Sequence, residues 1–194
     1  MLRGYQLMAS LRRDVQAARW AYVRAGLEPI PVHAGKKQPI AKGWPTMPTP
    51  EQWQQADTTS NIGLRLGGHS QQAVIDCDTD KTAAETRAGL TGLGLPLLEV
   101  VTGSRGRHFY VKINPDTLPN RQLYYFEQRN GIKGELRFGA GSMVVAPYSK
   151  TKNNYKFIRG RIANWTQAQP VNFADLTAVL PQIKTTQIEY NELP

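Results

Sequence analysis

Gln71-Gln72-Ala73-Val74-Ile75-Asp76-Cys77-Asp78-Thr79-Asp80 is the stretch around which the rest of the chain is organised. Val74 and Ile75 are β-branched, and the run reads as a strand that ends near Asp78, followed by a helix-like segment from Lys81 to Leu90. Side chains alternate along a strand, so Asp76 and Asp78 point to one side and Cys77 to the other. Two carboxylates held close together repel each other unless a raised pKa or a bound divalent cation relieves them. Asp-x-Asp at the end of an apolar strand suits enzymes that handle phosphates with metal ions. It equally suits a polar strand end running into a helix cap.

The rest of the chain bears on that choice. Its 194 residues allow one substantial core, or one core with a small appendage. A hydrophobic content of 40% and a charged content of 20% fit a soluble globular domain. No stretch approaches the ~20 apolar residues of a membrane span. Met1-Leu2-Arg3-Gly4-Tyr5 lacks the apolar run of a secretory signal, so cytoplasmic residence is the expectation. With 24 basic against 15 acidic residues the net charge is +9, which favours a polyanionic partner over a merely soluble basic protein. The single Cys77 excludes an internal disulfide, and with only His33, His69 and His108 it cannot build a structural zinc site.

Taken in order, residues 5–25 carry Leu7, Leu11, Val15, Ala18 and Tyr22 at helical spacing, ended by Gly26. Arg12, Arg13, Arg19 and Arg24 decorate that helix as a solvated or DNA-facing surface. Glu28–Val32 reads as an edge strand because of its prolines. His33–Trp44 is a basic loop whose Lys36, Lys37 and Lys42 could hold phosphates or simply be solvated. Thr49-Pro50-Glu51-Gln52 predicts a capping-box helix start. Asn61–Gly67 is a strand closed by glycine. Leu97 to Thr102 is β-like, and Thr102-Gly103-Ser104-Arg105-Gly106-Arg107-His108 is a Gly-rich basic turn feeding a strand on which His108 and Tyr110 share a face. Residues 114–132 look irregular, with the pair Tyr124-Tyr125. Gly134–Phe138 and Ser142–Pro147, joined at Gly139-Ala140-Gly141, predict a hairpin with Glu135 and Arg137 on one face. A strand at 154–158 and a short helix near 173–180 complete the reading. The tail from Gln182 has little core-forming content.

This order resembles the primase-polymerase (prim-pol) domain of the archaeo-eukaryotic primase superfamily, common in replication proteins of phages and plasmids. The matching segments are Gly35-Lys36-Lys37-Gln38-Pro39 with Gly43-Trp44, Asn61-Ile62-Gly63, Val74–Asp78, Thr102–His108, and Gly134–Arg137 with Val144–Ser149. The resemblance implies an α/β (α+β mixed), two-layer catalytic domain over residues 1–160. Its mixed or antiparallel sheet would carry the acidic site, with helices behind. Residues 161–194 would form a C-terminal helix and tail, a possible linker to a missing downstream domain. Asp76, Asp78 and Glu135 would hold two divalent cations, Mg or Mn, and with His108 form the catalytic set. Lys37, Ser104, Arg105, Arg107, His108, Arg137 and Ser149 would face the nucleotide, and Lys36, Lys42, Trp44 and Tyr148 the DNA. The implied partners are a single-stranded DNA template, a primer, nucleoside triphosphates, and a helicase in cis or trans, with no membrane.

Three departures from the family pattern stand out, one being that the cysteine-rich zinc elements of some relatives cannot be built here, which leaves template or primer grip to other surfaces. Arg105 occupies the place of a second turn glycine, and Tyr148 replaces the second proline of the usual Pro-Pro-Ser. The function implied is a template-directed nucleotidyltransferase, a DNA primase, a DNA polymerase, or both, working by two-metal phosphoryl transfer. The alternatives are a non-catalytic nucleic-acid-binding domain of a replication initiator and a two-metal nuclease. No covalent nucleophile is expected, because Cys77 should face the core.

Overall fold

The computed structural model describes residues 15–56, 59–67, 71–119, 123–139 and 141–183. Val74 and Ile75 do lie on a strand, and that strand is central. β3 (Gln72–Cys77) runs between β5 (Arg107–Lys112) and β7 (Gly134–Arg137) in a six-stranded sheet. β4 (Glu99–Val101) and β9 (Lys156–Arg159) extend it beyond β5, and β6 (Leu123–Tyr125) forms the edge beyond β7. A second sheet has the order β1 (Glu28–Val32), β2 (Asn61–Arg65), β8 (Met143–Val145). Every strand pairing in both sheets is antiparallel.

Alternation along β3 and β5 divides the core in two. Ala73, Ile75, Cys77, Phe109 and Val111 face the helices α3 (Asp80–Gly92) and α5 (Phe173–Val179), packing with Ala83, Leu90 and Leu176. Val74, Tyr110 and Val100 face the other way, against Ile62 and Val144 of the small sheet. Tyr22 of α1 (residues 15–24) and Trp165 of α4 (Ile162–Gln167) close that side. The expected arrangement of an acidic sheet with helices behind is therefore present. The small sheet adds cover in front, leaving the Asp76 end of β3 at its margin.

Three local expectations change. The segments flanking Gly139 are not a hairpin, since β7 belongs to the large sheet and β8 to the small one. The chain changes sheets there, and also between β2 and β3 at Gly67. The two crossovers touch: Gly67 has φ +73°, and a Cβ on it would lie 2.7 Å from the Gly139 Cα. Leu66 N–H donates to the Ser142 carbonyl beside them. The capping box is also absent. Pro48 occupies the N-cap of α2 (Thr49–Gln54), and the buried Gln52 amide donates instead to the Trp44 and Met47 carbonyls at 3.0 and 2.8 Å. Finally, Tyr124-Tyr125 is an edge strand rather than irregular chain.

α3 keeps a true cap, the Thr79 hydroxyl accepting from Thr82 N–H. Beyond residue 160, Trp165 and Leu176 are buried in the two clusters. Of the tail from Gln182, only residues 182 and 183 lie within the described chain; Gln182 accepts from Glu127 N–H and Ile183 bridges to Phe126. The first part of the predicted N-terminal helix, with Arg12 and Arg13, lies outside the described residues, as does His69.

Candidate active site

Strand register brings the acidic and basic side chains together. On β3, Asp76 pairs directly with His108 on β5 and with Glu135 on β7. Directly paired residues point to the same face, so His108, Asp76 and Glu135 form one row across three adjacent strands. The next row on that face is Tyr110, Val74 and Arg137. β7 can run this close because of Gly134, where φ is +150° and a Cβ would sit 2.1 Å from the Asp76 carbonyl oxygen. Asp78 lies just past the strand end, exposed, with its N–H donating to the Lys133 carbonyl.

The charges in the row act on one another. His108 Nε2 approaches Asp76 Oδ1 at 3.5 Å, while the imidazole is nearly buried, its ring 6.2 Å from that of Tyr110 and 6.0 Å from that of Tyr155. Its Nδ1 is buried with no hydrogen-bond partner among the described residues. Burial pushes the Asp76 carboxyl up, but His108, then Arg137 and Lys37, outweigh it and hold the group below the usual carboxylate range. Glu135 behaves oppositely. Burial raises its pKa, helped by the charges of Asp76 and Asp78, and the ion pair with Arg137 only partly offsets this.

Oxygen donors of this kind suit a hard divalent cation, and the mutual repulsion of the carboxylates is what such a cation would relieve. As the side chains stand, Arg137 and His108 engage two of the carboxylates. Among the described residues no three His, Cys, Asp or Glu side chains are gathered closely enough to hold a metal ion. The donor set thus fits a cation in chemistry, provided Arg137 swings off Glu135.

A family model described as bifunctional DNA primase/polymerase, N-terminal, matches residues 18–176. The chain belongs to the Prim-Pol family. Membership indicates a DNA primase/polymerase type of nucleotidyltransferase, and it spans both sheets and the helices behind them. No curated protein matches the chain.

Not every expected residue of this Prim-Pol domain reaches the row. Lys37 is exposed on the basic loop, near enough for its charge to help lower the Asp76 pKa. Arg107 does not reach the row. It neighbours His108 in sequence and so falls on the opposite face of β5, where Nε lies 3.6 Å from Glu99 and an Nη donates to the Arg105 carbonyl. Ser104 and Arg105 are exposed on the turn before β5. Arg105 has φ +70°, the left-handed region in which glycine is favoured and which explains the family's usual residue there. Ser149 is buried, and its hydroxyl accepts from Ile62 N–H at 2.8 Å and donates to Ile62 C=O at 3.1 Å. In this conformation its hydroxyl ties the loop after β8 to β2.

The DNA-facing set is likewise divided. Lys36 and Lys42 are exposed. Trp44 is half-buried beside Arg65, whose guanidinium donates to the Trp44 carbonyl at 3.2 Å. Arg65 closes β2 at the end remote from Asn61 and Lys36, so Trp44 stands roughly 13 Å further along, at about 3.3 Å per residue. Tyr148 is 58% exposed with φ +69°, a backbone conformation closed to proline. The loop here must therefore differ from the Pro-Pro-Ser form.

Two contributors escaped the sequence reading. Asn61 is buried, and its side chain ties the loops on either side of the small sheet's end. Its amide donates to the Lys150 carbonyl at 2.9 Å and accepts from Lys150 N–H at 3.0 Å, with longer approaches to the His33 and Lys36 carbonyls. A polar residue opening an apolar strand was the available signal. Glu99 is wholly buried among Arg87, Arg107 and Arg159, and nothing local in Leu97–Thr102 announces that network.

Proposed function

We propose that this Prim-Pol domain adds nucleotides to a DNA strand under the direction of a single-stranded template, as a primase, a polymerase, or both, in the replication of a phage, plasmid or other mobile element. The observation that carries the reading is the His108–Asp76–Glu135 row, with Asp78 at its open end and Lys37 and Arg137 bearing on it. Asp76, Asp78 and Glu135 are the proposed holders of two divalent cations, magnesium or manganese. Such cations would help ionise the attacking hydroxyl and neutralise the triphosphate. Lys37 and Arg137 supply positive charge to the phosphate oxygens, and Arg137 is released for that task as Glu135 turns to a cation. His108 fixes Asp76, and its burial restricts any phosphate contact to a group seated directly over that carboxylate.

Exposed Lys36, Lys42, Lys150 and Tyr148 would meet the template or primer, and a helicase in cis or trans would deliver it. A second reading, a non-catalytic DNA-binding domain of a replication initiator, is favoured by one feature: Arg137 already neutralises Glu135 in this conformation. Primer extension separates them. Asp76→Asn and Glu135→Gln should each abolish incorporation while single-stranded DNA binding persists. Incorporation near the wild-type level by Asp76→Asn would overturn the catalytic reading.

A further inference from the structure

The row that holds the carboxylates does not stop at Glu135. On the edge strand β6, Tyr125 pairs directly with Glu135, so its side chain lies on the same face, one strand spacing further out. At about 4.8 Å per strand it stands roughly 10 Å from Asp76 along the row. The ring is 51% exposed. Its neighbour Tyr124 explains why it is held there. Tyr124 points to the other face, where its ring stacks on Phe138 at 5.9 Å and meets Phe173 at 5.3 Å, anchoring the short strand.

The return from β6 to β7 is pinned as well. The Lys81 ammonium donates to the Asn130 carbonyl, the Thr79 hydroxyl to the Gly131 carbonyl, and Lys133 N–H to the Thr82 hydroxyl. An aromatic face is thus offered to solvent from a fixed strand, beside a cluster suited to phosphate chemistry.

We infer that Tyr125 is a stacking platform for a nucleobase whose phosphates or terminal hydroxyl lie over the Asp76–Glu135 row. The inference rests on the proposed nucleotidyltransferase reading and deepens it. Every base has a π-face, so a tyrosine grips without selecting sequence, and a phosphate-handling site needs such a grip to orient the reacting atoms. The base has two possible sources, the strand being extended and the incoming nucleotide.

Fluorescence of 2-aminopurine tests the inference with a separate arm for each source. One probe carries the base at the 3′ end of a primer annealed to template, and the other is the free 2-aminopurine nucleoside triphosphate. Each is titrated with the wild type, Tyr125→Phe, Tyr125→Leu and Asp76→Asn. The wild type and Tyr125→Phe should quench one probe, and the arm that responds names the source. Tyr125→Leu, which keeps bulk but loses the π-face, should lose the quench and bind that probe roughly tenfold more weakly. Equal quenching by Tyr125→Leu, loss of quenching in Tyr125→Phe, or no quenching by the wild type in either arm would overturn the inference. Asp76→Asn should keep the quench while losing incorporation. If it keeps both, the catalytic reading falls and the stacking result stands by itself.

Discussion

Replacing Asn61 by Ala should weaken both the fold and the use of nucleotide. Asn61 is only 6% exposed. Its two well-formed bonds, 2.9 Å to Lys150 C=O and 3.0 Å from Lys150 N–H, join β2 to the loop that follows β8. The approaches to the Lys36 and His33 carbonyls, at 3.4 and 3.5 Å, are at the limit of useful geometry and add little energy. They set Asn61 against the basic loop, whose own backbone bonds run from His33 N–H to the Gln38 carbonyl and from Ile40 N–H to the Pro31 carbonyl. At about 0.5–1.5 kcal/mol net for each good bond, the loss comes to roughly 1–3 kcal/mol. A loss of about 2 kcal/mol lowers the unfolding midpoint by roughly 4–8 °C for a chain of this size.

The functional consequence has a direction. Freed from Asn61, the loop carrying Lys37 samples positions away from Asp76, so KM for nucleotide should rise more than kcat falls. Thermal unfolding followed by circular dichroism, together with primer extension over a range of nucleotide concentrations, measures both effects. A midpoint within 1 °C of the wild type would show that the Asn61 bonds are replaced by water at no cost. A drop in kcat with KM unchanged would show that the loop position does not govern nucleotide capture.

Arg107→Ala and Lys37→Ala should differ in kind. The first should destabilise the fold by exposing the buried Glu99 charge, with little effect on nucleotide KM, and the second should raise KM with little effect on stability; paired unfolding and kinetic measurements decide, and the reverse pattern would place Arg107 in the site. Cys77, whose thiol burial pushes up to about 12, should resist iodoacetamide at pH 8 in the native protein and react once denaturant is added, as followed by intact mass; rapid native alkylation would contradict its place in the core. Glu135, raised in the folded state chiefly by burial, keeps its proton there to higher pH than in the unfolded chain. Stability should fall as pH climbs from the unfolded value, about 4.3, through the folded one. Glu135→Gln should flatten that part of the stability profile, and an unchanged slope in denaturant unfolding would remove the basis for the raised pKa.

Much of the site was legible because strand alternation is a local rule. Asp76 and Cys77 had to point opposite ways once Val74-Ile75 marked a strand, and His108 with Tyr110, or Glu135 with Arg137, had to share faces for the same reason. The same rule, applied one residue further, separates Arg107 from His108. Sequence proximity alone had grouped them, whereas strand neighbours point to opposite faces of the sheet. The Gly139 turn misled differently. A tight turn between two apolar strands is the signature of a hairpin, but whether the second strand pairs with the first depends on which partner edges are open. β8 finds the β2 edge of the small sheet instead.

The central acidic strand, the helix that follows it and the inward-facing Cys77 followed from the sequence by itself, because each depends on residues within a few positions of one another, and the fold class followed from five matching segments in order. Tertiary structure alone decided the rest. The register that sets Asp76 between His108 and Glu135, the four-residue ion network around Glu99, the Asn61 tie between loops and the place of Tyr125 at the end of the row all join positions from 8 to 89 residues apart. Periodicity says which way a side chain points from its own backbone. Which partner stands opposite is settled only when separate strands choose their neighbours, and that choice rests on the free energy of the whole packed core.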